Sequence, residues 1–398
     1  MLLFDPDEPS TLRPWLLGHV CPFWLARIHD PAGGFFEQLD AAGEGVREAR
    51  RTSLVQARLI YVFSHAYVLS GDDAFRRAAE HGLAFLLRAF RAADGGWMRM
   101  VAVDGTVIDE TRDAYDHAFV LFALAWFYNA TGDASAIQLA DATWNVMQRH
   151  LADRRYGGFQ EQYAPDQMDL KLPRRQNPHM HLLEALLALH TVTGEKSWLR
   201  RAAGLVDLFK ARFVDSETGA LIEFFGPDWT PAPGVEGRLR EPGHQFEWVW
   251  LLFEFHRATD DDSVIPYAER LFAFGSRYGV ERSGTTPGAL YDMVDASGAL
   301  IAGTKLLWPQ TEFIKACVAR AEWLDDAAAR PAIRSKLALI GTHFMRPDGA
   351  SWHNHLDGEG RPLVNVTPAR VLYHLFLAAA EVDRLLAKTT DAARAALS

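Results

Sequence analysis

Apolar positions recur along this chain with helical spacing, in pairs of segments of unlike character. Between residues 53 and 70 (SLVQARLIYVFSHAYVLS), Leu54, Ala57, Leu59, Ile60, Val62, Phe63, Ala66 and Tyr67 form a broad apolar stripe. The spacing predicts a helix there, and the same pattern predicts helices over 114–131, 181–193, 246–258, 311–322 and 369–386. Each is followed by a second, more charged helical pattern, as over 73–93 and 197–213. Several of the first segments, FEWVWLLFEF among them, are apolar almost all round, which is the mark of a helix buried on every side. The second segments are amphipathic.

The alternation has a period. Gly33-Gly34-Phe35, Gly95-Gly96-Trp97 and Gly157-Gly158-Phe159 lie 62 residues apart, with weaker echoes at Gly219-Ala220-Leu221, Gly288-Ala289-Leu290 and Gly349-Ala350-Ser351. Such a period means one supersecondary unit repeated, and a unit this long holds two helices and a turn. Six buried and six amphipathic helices predict an all-α domain of two concentric rings; the alternative is an open solenoid. Closure is favoured because the first and last repeats resemble the middle ones and carry no polar cap. The unbroken repeat also makes residues 1–398 one domain.

With 49% hydrophobic and 12% aromatic residues, 398 residues suffice for a large core. A net charge of −10 gives no basic footprint, so nucleic acid and anionic membranes are not expected partners. No apolar run is long enough for a membrane span, and MLLFDPDEPS does not read as a signal peptide. The expectation is a cytoplasmic protein, monomeric or weakly homo-oligomeric. Cys21 and Cys317 are too few for a disulfide framework and are expected to be buried small residues.

Candidate chemistry emerges from the phase of the repeat. Counting 21 to 24 residues from Gly34, Gly96, Gly158, Ala220, Ala289 and Ala350 reaches Arg58, His117, His181, His244, Glu312 and His374. Equal phase in a closed ring means equal height, so these ionisable groups are expected to converge at one mouth of the barrel as a polar floor. His181-x-x-Glu184 and His244-x-x-Glu247 each place a carboxylate beside an imidazole on one helix face, which would fix the tautomer and raise its basicity. His179-x-His181 and His353-x-His355 lack the companion ligands of a zinc or iron site, so neither metal nor cofactor is expected. There is no phosphate loop and no nucleophile elbow. Twelve Trp residues, with Trp308 four positions before Glu312, suit a polyol with apolar C–H faces. The Pro/Gly-rich stretch 226–243 runs into His244 and reads as a lid.

The strings VQARLIYVFSHAY, NPHMHLLEA, GHQFEWVWLL and LLWPQTE, with Tyr373-His374 near the end, resemble the N-acylglucosamine 2-epimerase superfamily, in the branch of cellobiose 2-epimerases and mannose isomerases. The resemblance spans nearly the whole chain. It implies an (α/α)6 barrel and metal-independent interconversion at C1 and C2 of an unphosphorylated sugar through a cis-enediolate. It also implies His244 and His374 as the general acid/base pair, Glu247 supporting His244, and Arg58 over the enediolate oxygens. Asn177 and His181 would hold sugar hydroxyls, with Tyr115, Trp308 and Glu312 as further pocket residues.

That assignment is chemically coherent, since the C2 proton of an open-chain sugar is weakly acidic and needs both a base near neutrality and a cation beside the developing oxyanion. An isomerase returns the proton to C1; a 2-epimerase returns it to C2 from the other face. TPARVLYH and LLWPQTE lack the additional Trp residues of cellobiose epimerases, which points to isomerisation of a free monosaccharide, mannose to fructose first and lyxose to xylulose as side chemistry. A 2-epimerase is the alternative. More distant are an (α/α)6 glycoside hydrolase using Glu247 and Glu312, and a sugar-binding protein without turnover.

Overall fold

The computed structural model describes residues 4–47, 50–164 and 172–397. Among these the inner helices run over Ser53–Ser70, Ala114–Thr131, Asn177–Thr193, Pro242–Thr259, Leu307–Trp323 and Leu372–Leu397. The third, fourth and fifth begin one turn before the apolar pattern does, at 177, 242 and 307 rather than 181, 246 and 311. Pro178, Pro242 and Pro309 sit in those first turns, where a missing N–H costs nothing. The extra turn is polar or aromatic because it faces the cavity described below. Outer helices run over Asp73–Phe90, Ala134–His150, Lys196–Leu208, Ile265–Tyr278 and Ala329–Leu339, the third and fifth prolonged by π-turns to Phe213 and Phe344.

The last inner helix has no outer helix after it in sequence, contrary to the expected pairing. Its partner comes from the other end of the chain, Leu12–Trp15 and Cys21–Ile28 joined by a π-turn. Arg13 pairs with Asp383 at 2.9 Å, and Trp24 stacks on Trp352 at 4.8 Å while donating its indole N–H to the Ala350 carbonyl. Closure therefore joins the two ends of the chain.

A second ring confirms it. Short antiparallel strand pairs link each repeat to the next: Arg50–Thr52 with Met100–Ala102, Arg112–Asp113 with Gln162–Tyr163, Arg174–Arg175 with Phe224–Phe225, Leu239–Arg240 with Met293–Asp295, and Lys305–Leu306 with His355–Leu356. Gln38–Leu39 pairs with Thr367–Pro368 and so joins the first repeat to the last. An open solenoid has no such contact. The architecture is an (α/α)6 barrel.

One continuous apolar cluster fills the space between the rings. Trp24, Trp97, Trp198, Trp229, Trp248 and Trp352 are fully buried within it, and Trp15, Trp144 and Trp250 nearly so, which gives nine of the 12 tryptophans to the core. At about 25 cal/mol per Å² over roughly 200 Å² of ring, each contributes on the order of 5 kcal/mol. Cys21 and Cys317 are buried and unpaired, as expected. No helix among the described residues is long and apolar enough to cross a membrane.

The stretch 226–243 is not the free lid that its composition suggests. Trp229 is buried and donates its indole N–H to the Gly157 carbonyl at 3.0 Å, with the Arg174 guanidinium 4.9 Å from its ring. Farther on, Leu239–Arg240 is a strand, and Arg240 pairs with Asp215 at 3.1 Å. Aromatic burial and strand pairing pin both halves of the segment.

Candidate active site

Side chains at the start of each inner helix fall into two registers that do different work. In the outer register a side chain clasps the third residue of the preceding repeat phrase. The buried N–H of Phe35 donates to Gln56 at 2.8 Å, Trp97 to His117 at 3.2 Å, Phe159 to His179 at 2.9 Å, Leu221 to Gln245 at 2.9 Å and Leu290 to Gln310 at 2.9 Å. The clasp explains the glycines of the phrase: a Cβ on Gly34 would lie 2.4 Å from Gln56 Oε1, and one on Gly158 would lie 2.8 Å from His179 Nε2. Both also have positive φ, which disfavours any side chain.

His117 belongs to this clasp, not to the site in which its spacing placed it. Its Nδ1–H donates to the Asp113 carbonyl at 2.8 Å while Nε2 accepts from Trp97, so both nitrogens are spent on backbone. Burial pushes it down to about 4, and the neutral ring is what two backbone bonds require.

Two positions farther along each helix lies the second register: Arg58, Phe119, His181, Glu247, Glu312 and His374. One turn above it are Leu54, Tyr115, Asn177, His244, Trp308 and Arg370. Most of these surround a cavity of about 560 Å³; Phe119 and Glu312 do not line it. Tyr115, Asn177, His181 and Trp308 reach the cavity as expected, whereas Glu312 is fully buried behind His374.

The two histidines are held in opposite states. His374 Nδ1 lies 2.8 Å from Glu312 Oε1, and burial, with the Arg58 and Lys315 charges, lowers its pKa far below the usual imidazole value. It is a neutral ring with Nε2 available to the cavity. His244 Nδ1 lies 2.9 Å from Glu223 Oε2 and 3.5 Å from Glu241 Oε2. Burial works against its charge, yet Glu223 and Glu241 outweigh burial and raise it to about 10. Trp308 stands between them, 5.0 Å from the His244 ring and 5.7 Å from His374.

Arg58 is buried and fixed. It donates to Tyr115 Oη at 2.7 Å and to the Arg370 carbonyl at 2.9 Å, and its guanidinium lies 4.1 Å from the Phe119 ring centre. His181 Nδ1 lies 3.1 Å from Glu184, whose carboxylate also accepts from Tyr373 Oη at 2.5 and 2.6 Å. Asn177 Oδ1 is buried without a partner, a free acceptor at the cavity wall.

The sequence profile of the N-acylglucosamine 2-epimerase (GlcNAc 2-epimerase) family matches residues 34–378. The chain belongs to that family. A mannose-6-phosphate isomerase of Rhizobium meliloti (strain 1021) is 33% identical over 394 residues, covering 95% of this chain and 97% of its own. A D-mannose isomerase of Pseudomonas cannabina pv. alisalensis is 27% identical over 398 residues, covering 94% and 95%. Among solved structures, a crystal structure of D-mannose isomerase superposes with a TM-score of 0.86 at 22% identity, over 94% of this chain and 97% of the other. The protein is thus a sugar isomerase or epimerase.

For an epimerase-family site, the helices alone leave out necessary groups. Glu223 is the partner of His244, in place of the expected Glu247, and it comes from the hairpin of the preceding repeat. A sequence signal existed: Glu37, Arg99, Glu161, Glu223 and Asp292 each stand two residues after the aromatic or leucine that ends the repeat phrase, and Asn354 two after Trp352, which follows the sixth phrase. Lys315, Glu241 and Arg370 were also missed. Two clusters have atoms close enough to gather round a cation, Glu223 with Glu241 and His244, and Glu247 with Glu312 and His374. In the second, the Lys315 ammonium already lies 2.6 Å from Glu312. In the first, His244 Nδ1 is engaged by Glu223.

Proposed function

We propose that this enzyme interconverts free D-mannose and D-fructose, with D-lyxose and D-xylulose as side chemistry, by metal-independent proton transfer through a cis-enediolate. The observation that carries the reading is the pair at one cavity, a neutral His374 and a charged His244, with Arg58 lining the same cavity from the inner helix next to that of His374. His374 Nε2 is the base for the C2 proton, its ring oriented through Nδ1 by Glu312. Imidazolium His244 polarises the carbonyl, and the Arg58 guanidinium offsets charge on the enediolate oxygens. Asn177, His181, Tyr115 and Trp308 hold the polyol chain. No step in this scheme uses a metal, because imidazolium His244 and the Arg58 guanidinium supply the positive charge for the developing oxyanions.

A 2-epimerase uses the same pair, His244 returning the proton to the opposite face of C2. The hydrolase reading loses its second acid, since Glu312 lies behind His374 and outside the cavity. A phosphorylated hexose is favoured by one observation: Arg99 and Arg370 line the cavity and make no ion pair among the described residues. The test is to incubate EDTA-treated protein with mannose in deuterated water and follow products by NMR. Fructose as the first product supports the reading, glucose first supports the epimerase, and no turnover of mannose overturns it.

A further inference from the structure

Glu247 is a buried carboxyl group at the cavity wall with neither oxygen hydrogen-bonded. Leaving a buried polar atom unpaired costs about 1–3 kcal/mol, so a fold retains such a group where a ligand completes it. One of its oxygens lies within 4.8 Å of a His374 nitrogen and a Glu312 oxygen.

A single ammonium serves both carboxyls. Lys315 Nζ is fully buried, 2.6 Å from Glu312 Oε2 and 4.0 Å from Glu247 Oε1, and 4.1 Å from the Trp250 ring centre. Two carboxylates against one ammonium in a dry site leave a net negative charge unless one carboxyl keeps its proton. The closer approach selects Glu312 as the carboxylate, which is also the group that receives the Nδ1–H of His374. Burial and the Glu312 charge hold the proton on Glu247 far above the usual carboxylate range.

We infer that Glu247 is a catalytic residue that relays protons between O1 and O2 of the sugar. The inference rests on the isomerase reading above. His374 takes the C2 proton as the C1 carbonyl electron pair moves onto O1, and the Glu247 O–H bond breaks as O1–H forms. The other Glu247 oxygen then takes the O2 proton as C2=O forms, and His374 delivers its proton to C1. Hydrogen has moved from C2 to C1 and from O2 to O1, and both residues end as they began. Two unpaired oxygens on one carboxyl are what a two-ended relay requires. An epimerase needs no such transfer, so losing this group should cost ketose formation more than proton exchange at C2.

The experiment compares wild type, Glu247→Gln and Glu247→Asp on mannose in deuterated water, measuring ketose formed and deuterium at C2 of the recovered aldoses. Glutamine keeps the size but cannot exchange a proton, so ketose formation is expected to fall about 100-fold or more while C2 exchange falls less than about tenfold. Glu247→Asp keeps an exchangeable proton and is expected to restore part of the ketose formation that glutamine loses. An equal fall in both rates, or undiminished ketose formation, overturns the relay. If Glu247→Gln does not fold, Glu247→Asp decides, and a wild-type ratio of ketose formation to C2 exchange in that variant, whose shorter side chain should slow the relay, overturns it. Wild-type protein inert toward mannose but active on another sugar counts against the mannose reading alone, and the ratio is then read on that sugar.

Discussion

His244 Nδ1 lies 2.9 Å from Glu223 Oε2, a carboxylate delivered by the preceding repeat and not by the helix that carries the histidine. This pairing, with Glu241 behind it, raises His244 to about 10. A raised group stays protonated below its folded pKa, so turnover should hold across neutral pH and fall as pH rises toward 10. Glu223→Gln removes the principal charge and should move this alkaline limb down by a unit or more while lowering kcat. The pH–rate profile checks it; an unmoved limb would show that Glu223 does not set the state of His244.

His374→Ala and His244→Ala should each lose nearly all turnover. A well-placed acid or base contributes about 100- to 10,000-fold. The helical circular dichroism should be unchanged, because both rings face the cavity and neither supports backbone. Activity retained in both variants would sink the acid/base assignment.

His117 makes the opposite prediction. Its role is to accept the buried Trp97 N–H, and glutamine does the same job at positions 56, 245 and 310. His117→Gln should therefore keep both fold and turnover. His117→Ala should cost about 1–3 kcal/mol of stability, measured by denaturant unfolding, by leaving a buried donor unpaired. A large loss of turnover in a stable His117→Gln variant would return this residue to the site.

These two outcomes show how far the sequence could be read. The helices, five of their six pairings and the ring were legible because apolar periodicity is repeated six times; the sixth pairing joins the two ends of the chain and leaves no local pattern. The height of each side chain was less so. On a helix, two positions turn a side chain by about 200°, and a count allowing 21 to 24 residues merged the clasp at His117 with the cavity registers at Arg58 and His244. Glu223 was hidden for another reason. Two-residue strands such as Phe224–Phe225 carry too little alternation to be seen, so the hairpin that brings a carboxylate 21 residues upstream onto His244 left no pattern of its own.

At the far end of the barrel, Glu322 ties three inner helices together. It accepts from Arg257 at 2.7 and 3.0 Å and from Arg384 at 2.8 and 3.0 Å, and pairs with Lys388. Burial would raise its pKa, yet these cations hold it well below the usual carboxylate range. A depressed carboxylate stabilises the fold above its unfolded value, about 4.3, and this contribution is lost as pH falls below that. Thermal unfolding should show Glu322→Gln less stable than wild type at pH 7, with the difference shrinking toward pH 3. A difference independent of pH would mean that the network contributes by packing alone.

Substrate charge is the remaining choice, and Arg370 is where it can be read. Its side chain stands at the cavity one turn before His374, beside Arg58, whose positive charge lowers its pKa further than burial alone does. A phosphate on the far end of the sugar would relieve that repulsion and gain charge-assisted hydrogen bonds of about 1.5–3 kcal/mol, or roughly 10- to 100-fold in kcat/KM. A free sugar offers no such gain. On the free-mannose reading, mannose should show the higher kcat/KM of the two substrates, and Arg370→Gln should change both by a similar factor. If mannose 6-phosphate is preferred and Arg370→Gln removes the preference by 10-fold or more while sparing mannose, the physiological substrate is the phosphorylated hexose.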